Sequence, residues 1–415
     1  MTAATLEPVE PKKIKLTPGL LAWFGLLGIL LLIGLISVFR VFYYGLSTTN
    51  MNDTVPWGLW ITIDLSSIAL GAGAFTLSAV VYLLGLKNFR PIARLAVFIG
   101  FIGYTAALLT LVMDIGRPDR FWHPWAYWNV HSVLWEITWC ITIYLGIMIL
   151  EFLPVIADSH FFANWPRFRK AAHFLHRFAP ALAVLGLMIS LLHQSSLGAA
   201  YGIVKARPIW FKPSMPILFI LSAIAVGPAL TMSVAFVLEW ITGKRTVPHE
   251  VLFTIARYCG FVLLVYGYLR FWDAMSVLYY GRTPSVMEAW ALLSSQTPYN
   301  FAFWVVEIIG GIVIPATLFL MPRFNRRPPL LVLGTLMAML GIVVNRWNVT
   351  VSGLIVPLDY SPGVLYKAPQ GVYFPNATEW GIAALIVGYG FLLLTLGVLF
   401  LPLFETEKEH HEPAA

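Results

Sequence analysis

The 415-residue chain is 59% hydrophobic and 11% charged, with a mean hydropathy of +0.78, whereas a soluble domain carries roughly 25% charged residues. This excludes an ordinary soluble enzyme, and the net charge of +7, spread between apolar runs, is topology information rather than a nucleic-acid surface. Cys140 and Cys259 are far apart, so they imply no disulfide framework, and they cannot by themselves hold an iron–sulfur cluster, which takes about four ligands.

Residues 1–17 are polar, with Lys12, Lys13 and Lys15 just before the first apolar run. That run is too long for a signal-peptide core, so it is expected to remain as a helix. A helix crosses a bilayer with about 20 apolar residues, and about ten such runs are predicted. They cover 18–43, 57–86, 92–113, 131–156, 176–200, 215–241, 250–280, 299–321, 329–346 and 377–403. The fold class is therefore an all-α polytopic membrane protein. Residues 405–415 read as a solvated acidic tail. Neither a phosphate-binding loop nor a dinucleotide fingerprint occurs, so nothing supports a nucleotide site.

Lys and Arg set orientation. Lys87, Arg90, Arg94, Arg167, Arg169, Lys170, Arg177, Lys244, Arg245, Arg257, Arg323, Arg326 and Arg327 fall on the side of the N-terminal lysines. Both termini are then expected in the cytoplasm. The connections 201–214, 281–298 and 347–376 lie outside and are long enough to dock a partner. Trp57, Trp60, Trp122, Trp125, Trp128, Trp210 and Trp290 gather at the outer ends, as an interfacial belt or as packing.

The outer stretch from Asp114 to Pro124 packs two carboxylates, two guanidiniums, two prolines and an imidazole into one connection. Arg117 and Arg120 can pair with Asp114 and Asp119, and Pro118 and Pro124 stop helix propagation. A charged loop joining two helices would look the same. Within the spans, Asp64, Glu136, His193, Gln194, Arg270, Asp273, Glu307, Asn345 and Arg346 fall mostly in the outer half. A charge at mid-membrane costs about 2.5–3.5 kcal/mol on insertion scales. Arg270 and Asp273, one turn apart, can simply neutralise each other. The outward skew of the whole set favours a cavity open to the outer face.

His193 begins His193-Gln-Ser-Ser-Leu-Gly198, a polar break in an apolar helix. An imidazole there can be a structural hydrogen-bonding group or an exchanger of protons with a bound ligand. Of the nine histidines only His193 sits well inside a span, with His131 at an edge, which argues against a bis-histidine haem. No metal site is expected.

Asp-Ile-Gly-Arg-Pro-Asp-Arg-Phe-Trp at 114–122 resembles a signature of the NrfD/PsrC family of quinone-interacting membrane subunits, most closely its HybB-like branch. Four further segments carry the resemblance: Pro56–Trp60 with Asp64, Trp128–Ser132 with Glu136, His193–Gly198, and Asn345–Thr350. It runs in order along nearly the whole chain, leaving out the N-terminal arm and the tail. It implies two four-helix bundles with flanking helices. The division expected is a cytoplasmic arm at 1–17, a first helix and outer loop at 18–56, a first bundle with the quinone site at 57–200, a second bundle at 201–346, an outer loop and last helix at 347–404, and a cytoplasmic tail at 405–415.

The resemblance also implies a chain of a prokaryotic inner membrane with no haem, iron–sulfur cluster or flavin of its own. Such a chain exchanges electrons between the quinone pool (menaquinone or ubiquinone) and a ferredoxin-like iron–sulfur subunit on the periplasmic side. A catalytic subunit, [NiFe] hydrogenase or a molybdopterin enzyme, lies beyond, with hydrogen:quinone oxidoreduction favoured. The partners are thus protein subunits and membrane lipids, not nucleic acid. On this reading His193 and Asp114 contact the quinone, Arg117 orients Asp114, and Glu136, Gln194 and His131 are further contacts. Asp64, Arg270, Asp273 and Glu307 are candidates for a proton path. A proton- or solute-coupled transporter and a structural anchor are the alternatives. The outward skew of the polar residues counts against the transporter, whose sites lie near the midplane.

Overall fold

The computed structural model describes residues 17–404 apart from 280, 282, 357, 362, 363 and 367–372. The predicted N-terminal arm up to residue 16 and the tail at 405–415 lie outside the described residues. Among the described residues, ten helices are long and apolar enough to cross a membrane. They are α1 (Pro18–Tyr44), α2 (Leu59–Leu83), α3 (Arg90–Asp114), α4 (Val133–Ala157) and α5 (Ala179–Gly202). Then follow α6 (Met215–Thr242), α7 (His249–Tyr279), α8 (Tyr299–Leu320), α9 (Pro328–Ile355) and α10 (Ala377–Phe400). This is an integral, multi-pass membrane protein. The fifth run differs from expectation at its start: a short amphipathic helix, Pro166–His176, ends before α5 begins. The only strands among the described residues are a small antiparallel hairpin, Leu358–Ser361 with Val364–Tyr366.

Local chemistry sets the boundaries. Thr17 caps α1 by accepting from the Leu20 N–H, and Pro18 occupies the first turn, where no amide hydrogen is needed. Ser132 caps α4 in the same way. Asn376 and Glu379 close a capping box at the start of α10. Within α8, Ala302–Val313 is π-helical, a wider winding often found at functional sites.

Pairwise packing links α2 with α3 and α5, α3 with α4, and α4 with α5. A second set links α6 with α7 and α9, and α8 with α7 and α9. The sets meet where α2 crosses α6. There Gly73 and Gly227 let the backbones touch, and a Cβ at either position would fall inside the opposite main chain. Gly311 of α8 and Gly341 of α9 meet in the same fashion. Outside these, α1 lies against α10, and α10 against α2 and α3. The Trp23 indole donates to Thr395 Oγ1 at 3.0 Å, and Gly34 sits under Leu385. The other side of α1 is a row of exposed apolar residues, among them Leu32, Leu35, Ile36 and Phe39, as a lipid-facing helix requires.

Candidate functional site

The buried polar residues of the spans gather mostly toward one end of the molecule, where α2, α4, α6, α8 and α10 begin and α3, α5, α7 and α9 end. Here this is called the polar end.

His193, on α5, is fully buried. Its helix comes close to its neighbours because Gly186 lies under the Phe75 ring and Gly198 against the Pro216 backbone. Nδ1 of His193 is 3.3 Å from the Tyr104 hydroxyl of α3. The Tyr104 ring is 4.2 Å from that of Tyr144 on α4. Around this core several buried polar atoms meet no protein partner: His193 Nε2, both amide atoms of Gln194, and the Ser190 and Tyr144 hydroxyls. A buried donor or acceptor left unmade costs about 1–3 kcal/mol, so a concentration of them points to a ligand or ordered water at this place. Asp64 of α2 belongs to the same region. Its Oδ1 is buried without a partner, and it lies within electrostatic reach of Tyr104, Tyr201 and Asp114.

Asp114 is the last residue of α3, and its Oδ1 is also buried and unpartnered. It lies on the same helix as Tyr104, about 15 Å further along the axis. His193 and Asp114 therefore sit at different depths, with Asp64 between them electrostatically. The expected Arg117–Asp114 pair is not formed. Arg117 makes two 3.0 Å hydrogen bonds to Asp119 instead, on the exposed surface, and these hold the Asp119 carboxyl below its ordinary range. The reason is Gly116: its φ of +73° turns the chain after α3, so Arg117 does not continue the helical face that carries Asp114. Glu136, in the first turn of α4, accepts a short hydrogen bond from Ser196 on α5. His131 lies exposed in the turn before α4, and no hydrogen bond or ring contact joins it to His193.

The other predicted residues form a separate cluster between α7, α8 and α9. Glu307, in the π-helical segment, accepts from Arg270 Nη2 at 2.5 Å, Asn345 Nδ2 at 2.9 Å and Asn348 Nδ2 at 2.8 Å. Asp273 accepts from Lys212 at 2.6 Å and from Arg270 at 3.3 Å. Arg346 donates to Ser222 at 2.6 Å and to Asn345 at 2.8 Å, and lies 3.8 Å over the Phe219 ring. Thr62 of α2 and Thr350 of α9 bond at 2.9 Å, which ties this cluster to the first set of helices.

Sequence reasoning missed three groups. Tyr104 and Tyr144 carry no signal in an apolar span beyond a hydroxyl. Glu379 is fully buried at the start of α10 and accepts from the Tyr373 hydroxyl and from the Asn50 and Asn376 N–H groups. The Leu59 N–H donates to the Tyr373 oxygen, and the Trp60 indole to the Glu379 carbonyl, so α10 fastens the start of α2. Glu151 of α4 lies toward the opposite end, with both carboxylate oxygens buried and unpartnered. The tryptophans divide. Trp122 and Trp128 are exposed, as a belt requires. Trp60 and Trp210 are buried, and Trp210 stacks on Trp57.

The profile of the family described as "Polysulphide reductase, NrfD" matches residues 47–357. The chain is 34% identical over 383 residues to the "Menaquinone reductase, integral membrane subunit" of Nitratidesulfovibrio vulgaris, covering 91% of this chain and 90% of that protein. It is 27% identical over 413 residues to the "Probable Ni/Fe-hydrogenase 2 b-type cytochrome subunit" of Escherichia coli (93% and 94% covered). It is 23% identical over 357 residues to the "Hdr-like menaquinol oxidoreductase integral membrane subunit" of Archaeoglobus fulgidus (84% and 85% covered). One of these names mentions a b-type cytochrome. The residues here do not fit a haem held by two histidines within the spans, because every described histidine other than His193 lies at a helix end or in a connection. No group of three or more His, Cys, Asp or Glu able to hold a metal occurs among the described residues.

Proposed function

The chain belongs to the polysulphide reductase, NrfD, family, and from that premise we propose that it is the quinone-reactive membrane subunit of a respiratory oxidoreductase complex. The observation that carries this reading is the cluster of unpartnered polar atoms around His193. The quinone head group sits there, with His193 and Gln194 as its contacts. Asp64 and Asp114 connect that level to the polar end, and Glu136 with Ser196 closes the gap between α4 and α5. His131, exposed before α4, and Arg117, which orders the Asp119 loop, border the mouth. Menaquinone is the quinone favoured, after the name of the Nitratidesulfovibrio relative, with ubiquinone as the alternative.

The electron partner is an iron–sulfur subunit docked at the polar end, which on this reading faces the periplasm of a prokaryotic inner membrane, with both termini cytoplasmic. Beyond it lies a catalytic subunit, a [NiFe] hydrogenase or a molybdopterin enzyme. The first set of helices is the quinone-binding four-helix bundle at 57–200, and the second is the bundle at 201–346. Reduction of quinone requires two electrons and two protons. In the neutral imidazole, Nδ1 accepts from the Tyr104 hydroxyl and the Nε2–H is free to donate to a quinone oxygen. The test is purification of the intact complex from its native membrane, with identification of the subunits that stay bound, followed by His193→Ala. Loss of quinone-linked turnover with the same subunits still bound supports the reading. A variant with full quinone-linked turnover overturns His193 as the contact, and a chain that purifies with no redox partner overturns the function.

A further inference from the structure

The connection between α4 and α5 lies at the end of the molecule opposite the polar end, and its amphipathic helix, Pro166–His176, packs against α4. Ala172 is fully buried and Phe168 and Leu175 are half-buried, so these residues mark the inward face. The outward face carries Arg167, Lys170 and Phe174, all exposed, and Trp165, Arg177 and Phe178 extend it beyond the two helix ends. Arg169 lies at the border between the faces. Its Nε is shielded from solvent and meets no acceptor in the protein, and an unmade hydrogen bond costs more on a charged group than on a neutral one. His173, one turn further, is within electrostatic reach of both Arg169 and Arg94 of α3, so the two guanidiniums converge on one place. The charge here is one-sided. Residues 87–94 and 158–178 hold Lys87, Arg90, Arg94, Arg167, Arg169, Lys170 and Arg177 against a single acid, Asp158, which pairs with His173 at 3.0 Å. Exposed aromatic side chains, Trp165, Phe174 and Phe178, stand among these cations. A soluble anion could use the cations but not the aromatic rings, whereas a phospholipid uses both. The acidic residues 405–415 offer no apolar side chain beyond Pro413 and two alanines.

We propose that this surface is the seat of an anionic phospholipid, its phosphate held by Arg169 with Arg94 beside it and its acyl chains lying against Trp165, Phe174 and Phe178. The planar guanidinium of Arg169 offers Nε–H and a terminal N–H to two phosphate oxygens at once. That supplies the acceptor which the protein itself leaves out at Nε. Arg167, Lys170 and Arg177 add attraction for an anionic leaflet without fixed geometry. The bound lipid bridges the amphipathic helix and the start of α3, and so steadies the connection that leads into α5. This seat stands at the far end of the molecule from the proposed quinone site and does not depend on it.

The test uses the full chain in dodecyl maltoside micelles, stripped of native lipid. Melting temperature and lipid retained in native mass spectrometry are followed as dioleoylphosphatidylglycerol is added. The wild type should melt higher with phosphatidylglycerol and retain it, and dioleoylphosphatidylcholine should do neither. Arg169→Gln should need roughly fivefold more phosphatidylglycerol for the same shift, the loss of about one cation's attraction. Arg326→Gln, which removes an exposed cation at the same end, should need no more than the wild type. Equal stabilisation of the wild type by phosphatidylcholine or by inorganic phosphate would overturn the lipid seat, as would a wild-type titration in Arg169→Gln. No shift with phosphatidylglycerol, together with a lower melting temperature when the chain is shortened after Phe404, would give the surface to the acidic tail instead. The wild-type titrations decide the matter even where Arg169→Gln fails to accumulate.

Discussion

The two sets of helices treat their buried polar groups in opposite ways. Between α7, α8 and α9 nearly every charged atom is spent on another: Glu307 accepts three hydrogen bonds, and Asp273 takes Lys212 and Arg270 together. Between α2, α3, α4 and α5 the pattern is reversed, and His193, Gln194, Asp64, Asp114 and Glu151 each keep atoms without a protein partner. Both arrangements are costly to place in a membrane. In the first the cost is offset inside the protein, and the result is a rigid brace. In the second it is not offset inside the protein, and that is the ground on which the quinone site is proposed there.

The contrast can be broken by substitution, and the largest effect is expected in the brace. Glu307→Ala strands Arg270, Asn345 and Asn348 at once. Removing one member of a buried ionic cluster costs about 3–5 kcal/mol, so the detergent-solubilised protein should melt markedly lower or fail to accumulate. An unchanged melting temperature would mean that the cluster does not hold α7, α8 and α9 together. Next comes His193→Ala, for which quinone-linked turnover should drop about a hundredfold while the melting temperature stays close to wild type. The reverse outcome, lost stability with turnover kept, would make the first set another brace.

A smaller effect is expected at the amphipathic helix. The hydrogen bond to Asp158 raises the His173 pKa above its ordinary value. The pair therefore contributes fully below the ordinary value of about 6.5 and fades as pH rises through the raised value. The melting-temperature difference between wild type and His173→Gln should be larger at about pH 5.5 than at about pH 8.5, and a difference that grows with pH would contradict the pairing. Smallest of all is Arg117→Ala. Its partner Asp119 is on the surface, so stability should not change measurably. A loss of quinone-linked turnover comparable to that of Asp114→Asn would return Arg117 to the site.

The spans are legible because a bilayer demands length and apolarity, and both can be read locally. The brace is half legible. Arg270 and Asp273 are a turn apart on one helix, and their pairing follows from spacing, whereas Lys212 arrives from the connection before α6 and Glu307 from α8, and no local pattern announces them. The same limit hides Glu379, which is held by groups from residues 50, 373 and 376. Asp114–Arg117 misleads because its spacing equals a helical turn, yet the helix has already ended and Gly116 redirects the chain. Glu151 escapes notice because sequence does not reveal whether a carboxylate has a partner. That requires knowing what packs against α4.

The packing of α1 on α10 bears on how the molecule is made. These are the first and last of the ten helices to leave the ribosome. α1 must wait in the bilayer until the other spans have been inserted, and its nearly unbroken apolar surface lets it do so without a protein neighbour. When α10 arrives, its Asn376–Glu379 cap fastens the connection after α1 and the start of α2. The arrival of α10 is thus recorded at the polar end, and a nascent protein lacking α10 would present an unfinished surface there to any subunit that docks.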